Sequence, residues 1–257
     1  MTTASNLSTH LFVLTGASRG MGLAMAQQLL VPGNTLLCIS RGGSDALAAQ
    51  ASQSGGTLLQ WSQDLALSAR AGARLEQWLR EQNGAHFASA TLINNAGVVA
   101  RIGPLSDADA DDLSRALRVG LEAPMQLTSA FLRATQQWTG VRKVLNISSG
   151  LGRRAMAAQA GYCAAKAGVD HFTRCVALDE ALKANGAKVC SLAPGVIDTD
   201  MQVQLRSASA EAFADRAAFV QLKDSGSLTS PDQAATNVLA FLARSDFGNQ
   251  PVADIRG

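Results

Sequence analysis

An α/β fold is what this sequence predicts: a doubly wound parallel sheet with helices on both faces, forming one three-layer α/β/α domain. Two observations carry that expectation. Short apolar runs of strand length alternate with helical stretches along the whole chain. No linker, repeat or low-complexity segment interrupts them over 257 residues, a length that such sheets reach as one unit. Crossovers between parallel strands are right-handed and unknotted, so this alternation leaves few other arrangements.

Leu11–Leu14 is the first strand, and it ends at Thr15-Gly16-Ala17-Ser18-Arg19-Gly20-Met21-Gly22, ahead of the helical Leu23–Leu30. In a strand–turn–helix setting, closely placed glycines let the backbone turn sharply and approach a pyrophosphate. The phosphates then rest on the amides and positive dipole of the helix N-terminus, a Rossmann-type site. An ordinary glycine-containing turn is the other reading of this stretch alone. The second strand, Thr35–Ile39, follows a turn at Pro32-Gly33-Asn34 and stops at Ser40-Arg41-Gly42-Gly43. An acid at this strand end would bind a ribose 2′-hydroxyl and repel a 2′-phosphate. Ser40 and Arg41 stand there instead, and Arg19 adds a second guanidinium, whose fork suits phosphate. The pattern reads as NADPH rather than NADH, with solvated loop arginines as the alternative.

Asp45–Gln53 fits a helix, Thr57–Trp61 a third strand, and Asp64-Leu65 closes it, which would put Asp64 near an adenine. Ser68–Gln82 has helical spacing, with Leu75, Trp78 and Leu79 on one side. Thr91–Ile93 begins a fourth strand ending in Asn94-Asn95-Ala96-Gly97, small and amide residues that allow a ribose close approach. Asp109–Trp138 reads as one long helix, Val141–Ile147 as the fifth strand and Gln159–Ala184 as a helix. The small residues Ala164, Ala165, Ala167 and Gly168 suit a subunit interface or core packing. A sixth strand, Lys188–Leu192, runs into Ala193-Pro194-Gly195-Val196-Ile197-Asp198-Thr199-Asp200-Met201. Gln202–Leu228 is helical and polar-rich, the character of a lid over a cleft. Pro231–Ala243 is a last helix and Pro251–Ile255 an edge strand.

Within this frame, Tyr162 and Lys166 stand four apart in an Ala-rich run without proline. On a helix they share a face, about 5–6 Å apart at Cβ. A free phenol has a pKa of about 10, and a cation within about 4–6 Å lowers it by roughly 1–3 units. Tyr162 is thereby expected to approach the range of efficient proton transfer. Ser149, just past the fifth strand, can donate to a carbonyl oxygen that Tyr162 protonates. A surface tyrosine beside a solvated lysine would show the same spacing.

Composition narrows the function classes. The chain is 47% apolar and 16% charged with net charge +2, acids and bases interspersed, so it has no electrostatic footprint for nucleic acid or anionic lipid. Cys38, Cys163, Cys175 and Cys190 have no metal-ligand spacing, and His10, His86 and His171 are scattered, so no metal site is expected and reduced thiols are the simpler account. No apolar run reaches the roughly 18–20 residues of a membrane span. Met1–His10 does not read as a secretory signal, which points to the cytoplasm.

These motifs together resemble the short-chain dehydrogenase/reductase family over nearly the whole chain. Thr15–Gly22 fits its T-G-x-x-x-G-x-G loop, Asn94–Gly97 its N-N-A-G, and Ser149 with Tyr162-x-x-x-Lys166 its catalytic set. Pro194-Gly195 fits the segment that holds the nicotinamide amide, followed by Ile197 and by Thr199, a common cofactor contact. The chain is most similar to the sepiapterin reductases and their bacterial relatives, some of which reduce aromatic α-diketones such as benzil. It shares with them stretches such as Y-C-A-A-K-A, A-P-G-V-I-D-T-D-M-Q and R-S-D-F-G-N-Q-P-V-A-D-I-R.

The resemblance implies an NADPH-dependent carbonyl reductase acting on a small-molecule ketone. Tyr162 would donate the proton, Ser149 would orient the carbonyl, and Lys166 would lower the Tyr162 pKa and grip the nicotinamide ribose. Asp254 falls where sepiapterin reductases carry an aspartate that anchors the pterin. A homo-oligomer, dimer or tetramer, is also implied. One position departs: Val119-Gly120-Leu121 stands where the family usually has a V-N-L-type stretch, whose asparagine holds a water linking the lysine to solvent. A 3-oxoacyl-thioester or broad ketone reductase, and a non-catalytic NADPH sensor, are the competing readings.

Overall fold

The computed structural model describes residues 9–257; residues 1–8, most of the stretch in which no secretory signal is read, lie outside the described residues. Seven described strands form one sheet: β1 (Thr9–Thr15), β2 (Asn34–Ser40), β3 (Thr57–Ser62), β4 (Phe87–Asn94), β5 (Val141–Ile147), β6 (Lys188–Ala193) and β7 (Val252–Asp254). Their spatial order is β3-β2-β1-β4-β5-β6-β7, and every pairing is parallel. A parallel sheet is covered on both faces, which is why its strands read as continuous apolar runs rather than alternating ones.

Alternate residues of each strand feed opposite layers. Leu36 and Cys38 of β2 pack with α1 (Gly20–Leu29) and α9 (Pro231–Ala243), among them Met25, Leu29, Val238 and Leu242. Leu37 and Ile39 face the other way, towards Leu75 and Leu79 of α3 (Ser68–Arg80) and Leu127 and Phe131 of α5 (Ala123–Ala134). The remaining helices are α2 (Asp45–Ser54), α4 (Ala110–Leu117), α6 (Ala160–Ala181), α7 (Asp200–Ser207) and α8 (Arg216–Asp224). The predicted three-layer, doubly wound fold is what the chain adopts.

The elements differ from expectation in two places. β4 starts at Phe87, ahead of the expected Thr91, because Phe87 stacks on Trp138 with ring centroids 5.6 Å apart. The long helix is not uniform: α4, capped by Asp109, passes through a π-helical turn, Arg118–Glu122, into α5. Pro124 has no N–H to give the carbonyl four residues back, that of Gly120, and the turn widens just ahead of it. The polar segment after β6 is helical as expected, and it divides into two helices, α7 and α8.

Candidate active site

The carboxyl ends of the strands open onto a cavity of about 820 Å³, spanning the point between β1 and β4 where the strand order reverses. Gly16, Ser18, Arg19, Gly20, Met21 and Gly22 line it from the turn after β1. Ser40 and Arg41 reach it from β2, Asp64 and Leu65 from beyond β3, and Asn95, Ala96 and Gly97 from beyond β4. Pro194, Gly195, Ile197 and Thr199 contribute from beyond β6, and Ser149, Tyr162 and Lys166 from the β5–α6 side. Asp254 does not line the cavity. It sits at the end of β7 with its carboxylate held by Arg256, which does.

The glycine loop is built by close approach of the chain to itself. Gly16 has φ +70°, and a Cβ there would lie 2.9 Å from the Cα of Ala96. A Cβ on Gly22 would lie 2.0 Å from the Gly16 carbonyl oxygen and 2.5 Å from Asn95 Nδ2. Asn95 locks the contact: Nδ2 donates to the carbonyls of Thr15 (3.0 Å) and Gly16 (3.2 Å). The amides of Asn95 and Ala96 both donate to Thr15 Oγ1, at 2.9 and 3.0 Å. At the start of α1, Arg19 is the N-cap but makes no side-chain cap, so the first amides of the helix are left to face an anion. The residues present therefore fit a dinucleotide. Ser40 serves the loop directly, its hydroxyl accepting from the Ala17 amide at 2.9 Å. Arg41 is exposed and makes no ion pair among the described residues, whereas Arg19 pairs with Asp200 at 3.0 Å.

Ser149 caps a short 3₁₀ turn, Gly150–Gly152, its Oγ accepting from the Leu151 amide at 3.2 Å. Tyr162 and Lys166 stand on the first turns of α6, with Lys166 Nζ 5.6 Å from the phenol ring centroid. That ammonium donates to the Ile147 carbonyl at 2.7 Å. The electrostatics run against the expectation of a lowered Tyr162 pKa. Burial pushes the phenol up to about 12, against hydrogen bonding from Ser149. Burial also brings Lys166 down to about 8, against the favourable charge of Asp170. At neutral pH Tyr162 thus holds its proton, the state a general acid needs, and Lys166 is the group poised near working pH.

Gly120 lies in the π-helical turn, where a Cβ would sit 3.3 Å from Ala165 Cβ. The missing side chain lets this turn close onto α6 beside Lys166. Asp170, four residues beyond Lys166, is buried; its Oδ1 accepts from Ser191 Oγ at 2.6 Å and its Oδ2 lies 3.6 Å from Arg153 Nε. The i, i+4 spacing of Tyr162, Lys166 and Asp170 was available as a signal for it. Under the site, Asn94 Nδ2 donates to Asn146 Oδ1 (2.8 Å), and Asn146 Nδ2 to Thr173 Oγ1 (2.9 Å), tying β4, β5 and α6 together. Beyond the expected residues, Met156, Leu205 and Phe219 give the cavity an apolar wall, and Arg154 and Arg256 add cations. Among the described residues no helix is long and apolar enough to cross a membrane.

A strand–glycine-loop–helix start, a half-buried tyrosine beside a buried lysine on α6 and a serine just past β5 define a nicotinamide-dependent oxidoreductase of the short-chain type. Residues 10–210 match the family model described as short chain dehydrogenase, and the chain belongs to the short-chain dehydrogenase/reductase family. It is 36% identical over 235 residues to a benzil reductase ((S)-benzoin forming) of Bacillus cereus, covering 91% of this chain and 94% of that protein. It is 32% identical over 258 residues to a sepiapterin reductase of Meriones unguiculatus, covering 95% of each. A metagenomic short-chain oxidoreductase solved in complex with NADP superposes with a TM-score of 0.71 at 25% identity, covering 97% of this chain and 96% of that one. The chain is accordingly an oxidoreductase acting between an alcohol and a carbonyl.

Proposed function

We propose that the chain is an NADPH-dependent carbonyl reductase whose substrate is a ketone or vicinal dicarbonyl carried on an aryl or pterin group. The observation that carries this reading is the meeting of Ser149, Tyr162 and Lys166 in one cavity with the glycine loop. When bound, the nicotinamide supplies hydride to the carbonyl carbon. Tyr162 holds a proton at its phenol oxygen and delivers it to the carbonyl oxygen. Ser149 hydrogen-bonds that oxygen and orients it. Lys166 keeps a positive charge beside the phenol and stabilises the phenolate left after transfer.

Arg41, with Arg19, would take the 2′-phosphate, which supports NADPH over NADH. Gly16, Ser18, Gly20, Met21 and Gly22 would hold the pyrophosphate, Asp64 and Leu65 the adenine, and Asn95, Ala96 and Gly97 the ribose. Pro194, Gly195, Ile197 and Thr199 would hold the nicotinamide. Residues 202–228 serve as the lid: Gln202, Gln204, Leu205 and Phe219 line the cavity from one side, and Phe213 fastens the segment to Ile102. A homo-oligomer acting in the cytoplasm completes the reading, in keeping with four free cysteines.

The test is NADPH oxidation at 340 nm with benzil and sepiapterin side by side. Tyr162→Phe should abolish turnover and leave NADPH binding nearly intact; turnover equal to the parent's would overturn the assignment.

A further inference from the structure

We propose that Arg256 determines specificity: its guanidinium, positioned by Asp254, hydrogen-bonds a second carbonyl oxygen on the carbon next to the one being reduced. This inference rests on the reading that Ser149 and Tyr162 hold the reacting carbonyl. It names vicinal dicarbonyls as the substrate class and makes Asp254 a positioning residue rather than a direct pterin anchor.

Three features support it. The first is rigidity. Asp254 ends β7, and the next residue fixes the chain to the sheet through the Ile255 amide and the Ala193 carbonyl at 2.9 Å. From that base the carboxylate takes Arg256 in a forked pair, Nε to Oδ1 at 2.9 Å and a terminal nitrogen to Oδ2 at 2.8 Å. A guanidinium held this way loses little freedom when it makes further hydrogen bonds, and its remaining N–H groups stay available.

The second is position. The same terminal nitrogen lies 3.8 Å from where a Cβ would stand on Gly150, the residue directly after Ser149. Because Gly150 has no side chain, nothing of its own stands between the guanidinium and the serine end of the cavity. Arg256 keeps 63% of its side chain exposed while Asp254 keeps 19%, so the cation faces the cavity and the acid stands behind it.

The third is the state of the other charges. Each acid lining the cavity already has a cation: Asp64 has Arg115, Asp198 has Lys223 and Arg206, and Asp200 has Arg19. None of these pairs involves Arg256, so its free donors await an acceptor from the substrate. A ketone with one oxygen spends that oxygen on Ser149 and Tyr162. A vicinal dicarbonyl brings a second one. A pterin brings N–H donors to Asp254, where Arg256 already sits, and is the poorer match.

The experiment compares benzil with deoxybenzoin, the same diaryl skeleton with a methylene in place of one carbonyl. Benzil is intrinsically the more electrophilic, so the quantity read is the benzil-to-deoxybenzoin ratio of kcat/KM in each variant relative to the parent. Arg256→Met should lower that ratio about 10- to 100-fold, the worth of one hydrogen bond to a charged group, and Arg256→Lys should recover part of it. Asp254→Asn, which loosens the guanidinium, should lower it less. Arg256→Gln serves should the Met variant not fold. A ratio within twofold of the parent's in both Arg256→Met and Arg256→Gln would overturn the proposal. If Tyr162→Phe still turns over benzil like the parent, the reading of Ser149 and Tyr162 falls instead. Loss of turnover in Tyr162→Phe beside an unchanged ratio condemns the Arg256 role alone.

Discussion

Replacing Gly22 by alanine adds one methyl group and should damage both the fold and the cofactor site. That methyl would lie 2.0 Å from the Gly16 carbonyl oxygen and 2.5 Å from Asn95 Nδ2. Neither neighbour is the loose end of a flexible side chain. The first is backbone, and the second is held by two hydrogen bonds. α1 must therefore back away from β1, or Asn95 must release the loop. Overpacking of this kind costs about 1–3 kcal/mol, and each Asn95 hydrogen bond lost adds about 1 kcal/mol, for a total of about 2–5 kcal/mol. In a chain of this size each kcal/mol moves Tm by about 2–4 °C, so a fall of about 4–20 °C is expected by circular dichroism. The same displacement carries the first amides of α1 away from the pyrophosphate, and NADPH should bind at least about tenfold more weakly by calorimetry, since a hydrogen bond to a charged group is worth about 1.5–3 kcal/mol. Gly42→Ala is the control, because a Cβ there meets nothing within 4 Å. It should stay within about 0.5 kcal/mol of the parent. If Gly22→Ala matched Gly42→Ala in Tm and in NADPH Kd, the close-approach account of the loop would be refuted.

Two further outcomes are expected. Arg41→Glu should weaken NADPH binding about tenfold or more while leaving NADH binding within a few-fold, since Arg41 is exposed, unpaired among the described residues and, in the function proposed above, takes the 2′-phosphate; an unchanged NADPH-to-NADH ratio of Kd would contradict that proposal. Lys166, brought down to about 8 by burial, should give kcat/KM for ketone reduction a limb that falls as pH rises through about 8, as the ammonium is lost. Lys166→Arg should move that limb upward, and a limb that stayed near 8 would belong to another group. The sign for stability is opposite. The folded pKa lies below the unfolded value of about 10.4, so burying the charged amine costs stability below about pH 8, and that cost is relieved as pH climbs from about 8 towards about 10.4.

What the sequence disclosed, and what it did not, divides by the range of the contacts involved. The interior of β2 was readable because Leu36–Ile39 is buried on both faces, so apolar character alone marks it. The start of β4 was not: Ala88 and Ser89 resemble a loop, and what brings Phe87 into the sheet is Trp138, far away in sequence. The π-helical turn was hidden because Gly120 and Pro124 mark an irregularity in the helix without saying that it takes the form of a wider turn. In the site, the spacing of Tyr162 and Lys166 told which groups would meet but not how they would titrate. Spacing reports a neighbour's charge, whereas the largest influence on both of these groups is burial.

Asp254 and Gly120 show the same limit from opposite sides. An aspartate near the C-terminus looked free to take a ligand because its partner, two residues on, reads as one more surface arginine. Only the turn of the chain after β7 brings the guanidinium back onto the carboxylate. Gly120 looked like a defect in a relay, since the resemblance leads one to expect an asparagine there. In the fold it is a packing residue: a Cβ would come within 3.3 Å of Ala165, so a larger side chain would lever the turn away from the helix that carries Lys166. Lys166 is brought down to about 8 by its burial, and the charge of Asp170 works against that fall.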